Sequence, residues 1–351
     1  MMQKTVSGLL VLGIGLMGLA WDGGAQDIAP AMSPDKGHEL TITAKRIAMH
    51  SPAQPDAATK LGALEFVTAL ELTSKDKDFG GLSSMEIKED GSALLALTDR
   101  GHWLWAQLDL EQGRPVSVAA ARMAQMLNAD GKPLKAGWRD SESLTLADGR
   151  ALVGLESNDR ILAFDLAGVK NAELFSNPAP LFAAHGKDMD LPAEMLKHPR
   201  NGGFEAMVHM ASGDLLAFSE HGRTSDGLLK LWLYKGGVAQ SLFFDAPGDF
   251  VPTDAAQMPD GDILVLMRRF TPLTGVAALL VRFSAEDIVP GATLVGEELA
   301  RFVPPLTVDN MEGLAVRKNP EGGDLVYLMS DDNFSPLQRT ILLVYALKEQ
   351  P

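Results

Sequence analysis

The hydrophobic residues of the chain fall into short runs that are separated by Gly, Asp, Asn and Pro. Short apolar or alternating runs bounded by turn residues are typical of β-strands. Segments with helical periodicity are scarce, and only residues 119–128, 192–198 and 297–302 are predicted to form short helices. The pattern therefore predicts an all-β protein.

One order of features recurs five times along the chain. Each copy has a polar residue, an apolar strand, a turn, a second apolar strand and another polar residue. Successive copies are spaced by roughly 50 to 60 residues, a repeat length found in β-propeller blades. The chain is therefore predicted to fold as a β-propeller.

Three strand-like segments lie outside the five copies. Residues 39–44 and 64–70 precede the first copy, and residues 340–347 follow the last one. Pairing between these N- and C-terminal strands would close the ring and leave no free sheet edge. We therefore expect a single propeller of six blades over residues 38–351, with the sixth blade assembled from both ends of the chain.

The first 37 residues differ from the rest in composition. Lys4 precedes an apolar stretch, 6–20, and small residues follow it up to Ala25, which is the order found in bacterial secretory signals. The apolar stretch is shorter than the roughly 20 residues that span a bilayer. We expect residues 1–25 to be a cleaved signal peptide and 26–37 a linker. The mature protein would then be periplasmic or secreted, without stable membrane insertion; an uncleaved anchor is the alternative.

Charge and cysteine content exclude several classes of function. The formal net charge is −15, and the 31 Lys and Arg residues are scattered rather than clustered with aromatic residues. Such a surface repels phosphodiester backbones, so nucleic acid is not an expected partner. With no cysteine, the chain cannot form disulfides or zinc–thiolate sites.

Polar residues at equivalent points of the copies should meet in a central funnel, because the inner strand of every blade lines the channel. The first expected ring comprises Ser83, Glu142, Glu205, Asp254 and Glu312. A second ring, later in each copy, comprises Asp99, Glu156, Glu220, Arg268 or Arg269, and Asp331 with Asp332 and Asn333. So many carboxylates in one place require protonation or a bound cation.

Oxygen ligands without cysteine favour Ca²⁺ or Mg²⁺ over zinc or copper. We predict a divalent cation, with Ca²⁺ as the first choice, and six candidate ligands. These are Glu142, Glu205, Asp254, Glu312, Asn310 and Asp331. The alternative for any one of these acids is a solvated residue at the end of a strand.

Two further features bear on catalysis. Arg268 and Arg269 interrupt an apolar strand, and strand alternation turns one of them inward, to bind an anionic group or to form an internal ion pair. His221 is a candidate general acid or base, or else a structural residue. The candidate catalytic residues are Glu205, Glu312, Arg269 and His221. The local motifs of serine hydrolases, zinc proteases and P-loop proteins are absent from the sequence.

Six short motifs resemble those of one bacterial family. They lie at residues 79–83, 98–101, 140–142, 201–205, 309–314 and 330–334. Through them the segment 37–347 resembles the phytase-like family, also described by an esterase-like activity of phytase. The resemblance implies a β-propeller and an exported hydrolase of phosphate or other esters. In the calcium-dependent propeller phytases, which are similar in architecture, carboxylates hold Ca²⁺ ions that bind substrate phosphates.

Three functions follow as hypotheses. The first is a hydrolase of a small anionic or ester substrate, in which a divalent cation polarises the substrate and a ring carboxylate acts as base. The second is a non-catalytic propeller that binds a ligand or partner and holds structural Ca²⁺. The third is a lactonase-like enzyme. The fold does not choose among them.

Overall fold

The computed structural model describes residues 37–49, 60–147, 149–156, 159–197 and 202–348. The predicted signal peptide, residues 1–25, lies outside these residues, as does the predicted linker apart from Gly37. Within the described ranges, no helix has the length and apolar character needed to cross a membrane.

Five sheets make up the fold, each built around four antiparallel strands. They are the blades of a β-propeller, so the predicted all-β propeller class is confirmed. The prediction of six blades is wrong. The strand-like segments at the two ends of the chain do not form a blade of their own, because residues 64–70 and 340–347 belong to the fifth blade and residues 39–44 are divided between the first and fifth blades.

Within each blade the four strands are arranged in order from the central channel to the outside. Neighbouring inner strands pack side by side around a closed ring. The inner strands are β5 (Leu82–Ile87), β10 (Ser141–Ala147), β14 (Phe204–His209), β18 (Val251–Gln257) and β23 (Asn310–Lys318). The second strands are β6 (Ala93–Thr98), β11 (Arg150–Leu155), β15 (Leu215–Arg223), β19 (Ile263–Thr271) and β24 (Asp324–Asp331). The third strands are β7 (His102–Glu111), β12 (Arg160–Asp165), β16 (Leu229–Lys235), β20 (Gly275–Phe283) and β25 (Thr340–Leu347).

The outer strand of each blade completes the set of four. These strands are β8 (Arg114–Gln125), β13 (His185–Asp188), β17 (Val238–Phe244), β22 (Glu297–Phe302) and β4 (Leu64–Ser74). In the fifth blade β4 comes from before the first blade and pairs antiparallel with β25, placing Leu64 opposite Leu347. This pairing confirms the predicted closure of the ring by N- and C-terminal strands.

Short strands lie along the outer strands of four blades. They are β1 (His38–Leu40), β2 (Ile42–Arg46), β3 (Lys60–Leu61), β9 (Leu127–Asn128) and β21 (Thr293–Leu294). They pair with β8, β4, β4, β13 and β17 respectively. Such pairing satisfies backbone groups that an open edge would expose.

Helices are minimal. Two short ones, α1 (Asn171–Leu174) and α2 (Ala179–Ala183), lie between β12 and β13. The predicted helices are wrong: most of residues 119–128 belongs to strands β8 and β9, residues 297–302 form β22, and residues 192–197 form turns. Burial along β8 is uneven: Pro115, Ala121, Met123 and Ala124 are buried, whereas Arg114, Ala119, Ala120 and Gln125 are exposed.

The apolar core lies between adjacent blades, and the second strands are its most continuous part. Every residue of β6 is buried, as is every residue of β24. Between the first two blades Trp103 meets Phe164 edge to face, with ring centroids 5.0 Å apart. This packing fixes the relative positions of the inner strands, and with them the residues at the ends of the channel.

Candidate functional site

A β-bulge recurs at the same point of all five inner strands, near their first residues. One residue in each bulge has no opposite partner on the second strand. These residues are Ser83, Glu142, Glu205, Thr253 and Glu312. A bulge bends its strand and redirects the side chain, so one local irregularity repeated five times forms a ring.

A second set of side chains follows directly after the residues paired beside each bulge. It comprises Asp99, Glu156, Glu220, Arg268 and Asp331. In three blades the backbone N–H of this residue donates to the strand that enters the bulge; for example, Glu156 donates to the carbonyl of Asp140 at 2.9 Å. We call this end of the channel, with both sets of residues, the acidic end.

Two groups of carboxylates at the acidic end are close enough to hold a metal ion. One carboxylate oxygen each of Glu156, Glu205 and Glu220 lies within 4.8 Å of the others. The same holds for Asp140, Glu142 and Glu156. Of the six predicted ligands, Glu142 and Glu205 lie in these groups.

Glu205 is buried at the centre of the ring contacts. Its side chain is 5% exposed, and its Oε1 atom is buried without a hydrogen-bond partner among the described residues. Burial, together with the charges of Glu220, Glu156 and Glu312, raises the pKa of Glu205 well above its usual range. An ionised carboxylate in this position would need a cation.

The neighbouring acids are affected in the same way. Burial and the charge of Asp140 raise the pKa of Glu156 to about 7. Burial and the nearby Glu205 raise the pKa of Glu142 well above its usual range. Burial and Asp331 raise the pKa of Asp99 to about 7. Without a cation, the acidic end therefore retains protons near neutral pH.

Glu312, Asp331 and Asn310 form a third, hydrogen-bonded group in the fifth blade. The amide Nδ2 of Asn310 donates to Oε1 of Glu312 at 2.6 Å. The carboxyl groups of Glu312 and Asp331 are also hydrogen-bonded to each other, and burial raises their pKa values to about 7 and about 8. A hydrogen bond between two carboxyl groups requires a proton, so the raised pKa values fit a pair that shares one. These three predicted ligands lie together, apart from the two groups above.

Arg268 is the arginine that faces the acids. Its guanidinium lies 3.5 Å from Oε1 of Glu220 and 3.4 Å from Oε1 of Glu312. Arg269, the predicted catalytic arginine, instead lies over the ring of Phe250, 4.9 Å from its centroid. Strand alternation foresaw that one of the two points inward, and the structure identifies it as Arg268.

His221 lies at the mouth of the acidic end. Its Nε2 atom is 3.2 Å from Oε2 of Glu220, and the histidine side chain is 48% exposed. It therefore contacts one ring acid from the solvent side.

Asp254 lies below the ring. Thr253 occupies the bulge of the fourth blade, so the acid follows one residue later and belongs to neither group of acids above. Its carboxylate accepts hydrogen bonds from the N–H of Leu314 at 2.8 Å, the N–H of Ala255 at 2.9 Å and the hydroxyl of Ser84 at 3.0 Å. Asp254 thereby joins the first, fourth and fifth blades across the channel.

Gly81 shows how tightly the acidic end is built in the first blade. Its φ angle is +61°, and a Cβ atom there would collide with the Asp99 carboxylate. Its N–H donates to Oδ1 of Asp332 at 2.9 Å. Asp332, assigned to the second ring from the sequence, thus holds backbone N–H groups together, including that of Phe334.

Glu156 and Glu220 are members of the predicted second ring but not of the predicted ligand set. Asp140 is predicted only as part of a family motif. The signal that could have found them was register: the residue that follows the one paired beside each bulge lies next to the bulge on the neighbouring strand. Side chains from the first and second strands of a blade therefore converge on one point.

A model of a protein family described as "Phytase-like: Esterase-like activity of phytase" matches residues 77–334 of the chain. No curated protein matches it.

Three solved structures are similar to the chain. A putative gluconolactonase has 15% sequence identity over 89% of this chain and 91% of its own, with a TM-score of 0.38. Glutaminyl cyclase of Myxococcus xanthus has 11% identity over 82% and 97%, with a TM-score of 0.42. U3-55K has 8% identity over 77% and 96%, with a TM-score of 0.39. At these TM-scores the similarities carry no argument about this chain.

Proposed function

The chain belongs to the phytase-like family, as its motifs indicated, and on that premise we propose that it hydrolyses phosphate or other esters at the acidic end of the channel. The observation that supports this most directly is the convergence of Glu156, Glu205 and Glu220, with oxygens within 4.8 Å of one another. Like charges held together in a buried place are a feature of functional sites, because folding alone gains nothing from their repulsion.

A divalent cation suits these residues. The donors are carboxylate oxygens, which Ca²⁺ and Mg²⁺ prefer, and Oε1 of Glu205 is buried without another partner among the described residues. Glu156, Glu205 and Glu220 would hold the ion, with Asp140 and Glu142 beside them. When bound, it would polarise a substrate oxygen and lower the pKa of a water molecule.

Arg268 would bind the anionic part of the substrate. It is the basic side chain placed among the ring acids, and its guanidinium can contact two oxygens of a phosphate or carboxylate. Its contacts with Glu220 and Glu312 are 3.4–3.5 Å long, so the group is oriented by the acids without a close hydrogen bond to either.

The Glu312 and Asp331 pair would handle the proton. The pair holds a proton near neutral pH, so Asp331 is placed to donate it to a leaving oxygen. Glu312, held in its ionised form by the amide of Asn310, would take a proton from the attacking water molecule. The proton given to the leaving oxygen and the proton taken from water balance, so the carboxyl pair would end the reaction with the one proton it began with.

Export is part of the proposal and is supported by the N-terminal sequence pattern alone. Intact-mass measurement on material from the cell exterior or periplasm tests it. The intact mass is expected to correspond to a chain that begins near Gln26. Retention of residues 1–25 in a membrane fraction would contradict the proposal.

The decisive experiment combines metal analysis with a hydrolase panel. Purified mature protein is expected to contain a divalent cation, and to cleave at least one of a set of phosphomonoesters, carboxylic esters and lactones. EDTA should abolish that cleavage, and Ca²⁺ should restore it.

Each of the other outcomes has a separate meaning. Bound metal with no turnover on the panel would favour a ligand-binding propeller with structural Ca²⁺. Turnover that EDTA leaves unchanged would remove the cation from the mechanism. Cleavage of lactones alone would assign the site to lactonase chemistry.

A further inference from the structure

A cavity lies beside the acidic end, in the second blade. Its volume is about 260 Å³. Its walls include Leu134, Trp138, Leu155, Arg160, Leu162 and Asp188. Leu155 directly precedes Glu156, and Trp138 lies two residues before Asp140, so two wall residues adjoin two candidate metal ligands.

Trp138 is an unusual tryptophan in this chain. Its side chain is 51% exposed, whereas Trp103, Trp105 and Trp232 are buried. An exposed aromatic ring at the edge of a cavity offers a flat apolar face to a ligand.

The indole ring is held ready for stacking. The guanidinium of Arg160 lies over it, 4.5 Å from the ring centroid. Arg160 is itself fixed by a two-point ion pair with Asp188, in which its Nε atom donates to Oδ1 at 2.6 Å. Because Arg160 pairs with Leu155, the residue before Glu156, these side chains lie at the same end of the second blade as the acidic end.

We propose that this cavity, the Trp138 pocket, binds a planar aromatic ring of the substrate while the attached ester group lies over the acidic end. The lining combines leucine side chains and the indole face with charged residues such as Asp130 and Lys135, so it suits an apolar ring that carries a polar group. A cavity of about 150 Å³ holds benzene in another protein, so about 260 Å³ accommodates one substituted ring. This inference rests on the proposed function for its ester group, but the ring-binding pocket is testable without turnover.

The first experiment measures ring binding alone. Phenol is the probe, and saturation-transfer NMR on the mature protein in EDTA is the readout. Trp138→Ala is expected to weaken phenol binding about tenfold. Leu134→Asp, which places a charge in the pocket and keeps the indole, should weaken it as much.

Phe270→Ala is the matched control. Phe270 is an exposed aromatic residue, 66% accessible, near the same edge in the fourth blade and outside the pocket. It should leave phenol binding unchanged. Equal phenol signals in the parent and in Trp138→Ala would overturn the proposal, and Trp138 is exposed enough that its replacement should not prevent folding.

The second experiment asks whether the pocket serves the substrate. The ratio of kcat/KM for phenyl phosphate to that for ethyl phosphate should fall about tenfold in Trp138→Ala, with the ethyl value unchanged. A ratio that survives while phenol binding is lost would separate the pocket from the substrate site and refute the proposal. If the parent cleaves no ester, the proposed function fails, and the phenol measurement still decides whether the ring-binding pocket exists.

Discussion

The two ends of the same hairpins carry acids in opposite circumstances. Aspartates at the turns that join inner and second strands form ion pairs. Oδ2 of Asp90 lies 2.8 Å from Nζ of Lys88, and Oδ2 of Asp260 lies 2.8 Å from Nη2 of Arg282. Burial acts to raise the pKa of Asp90, but the hydrogen bond from Lys88 and those within the turn outweigh it and lower the pKa to about 2. These acids are exposed, and they accept backbone hydrogen bonds that stabilise the turns.

At the acidic end the balance is reversed. Burial raises the pKa of Glu205, Glu142 and their neighbours, and Arg268 and His221 are the basic side chains within ion-pair distance of the ring among the described residues. The residue type is therefore a poor guide to function in this fold. What distinguishes the two ends is the burial of more acids than the neighbouring basic side chains can neutralise.

The largest effect expected from this difference is on turnover. Glu205→Gln and Glu312→Gln each remove a charge from the acidic end and keep the side-chain volume. Each should lower kcat by at least about 100-fold, since positioned acids and bases contribute on that scale. Steady-state rates on a substrate that the parent cleaves provide the measurement.

Asp260→Asn, at the opposite end, is the matched control. It should leave turnover unchanged and shift stability by about 0.5 kcal/mol or less, as exposed surface changes usually do. Asp148, the other turn aspartate suited to this control, lies outside the described residues. Full activity in both glutamine variants would abolish the distinction drawn between the two ends.

Arg268 and Arg269 offer a sharper comparison within one strand. Arg268→Gln should raise KM for an anionic substrate about tenfold, because a bidentate contact to the anion is lost. Arg269→Gln should change KM by less than about twofold, because Arg269 lies over Phe250. Similar KM values in the two variants would show that the acids, and not the substrate, are the partners of Arg268.

Asp254 lies between the two ends and separates structure from chemistry. Asp254→Asn replaces one acceptor oxygen by a donor amide that faces existing donors, so the free energy of unfolding should fall by about 1–3 kcal/mol. Metal content should remain the same. Loss of the metal in a folded variant would instead restore Asp254 as a ligand.

The last comparison concerns the pH dependence of stability. Asp99, Glu156, Glu312 and Asp331 have pKa values raised to between about 7 and about 8, so the folded protein holds protons that the unfolded chain has released. Their contribution to stability is therefore complete below about pH 4 and is lost as the pH rises toward 8.

Thermal scans in EDTA test this direction. The melting temperature should fall between pH 5 and pH 8, and saturating Ca²⁺ should cancel the fall because it binds the ionised carboxylates. Asp90 acts oppositely, since its stabilisation is complete above about pH 4 and is lost toward pH 2. A melting temperature in EDTA that rises from pH 5 to 8 would contradict the raised pKa values.

The family, the all-β class and the closing strand pair could be predicted because they depend on repeated patterns. The number of blades could not be counted from strand-like segments alone. Residues 64–70 look like part of a new unit, but β4 is the missing outer strand of a blade whose other strands lie nearly 250 residues later along the chain.

The bulges explain why the predicted ring position in the fourth blade differs from the observed one. A bulge adds a residue to one strand, so counting from the nearest acid misses the register by one, as it did for Asp254 and Thr253. Strand alternation likewise narrowed the inward arginine to two candidates without choosing between them. The Trp138 pocket gave no sequence signal, because its walls come from three separate segments.

The pairing of β4 with β25 sets the order of synthesis against the order of assembly. β4 leaves the ribosome before any of the twenty strands from β5 to β24, yet its main partner is β25. The edge of β4 (LEFVTALEL) that pairs with β25 therefore stays unpaired while four blades are made. A factor that kept the emerging chain extended until β25 appears would act on β4. Ring closure, the pairing of β4 with β25, is therefore the step at which misassembly competes with folding.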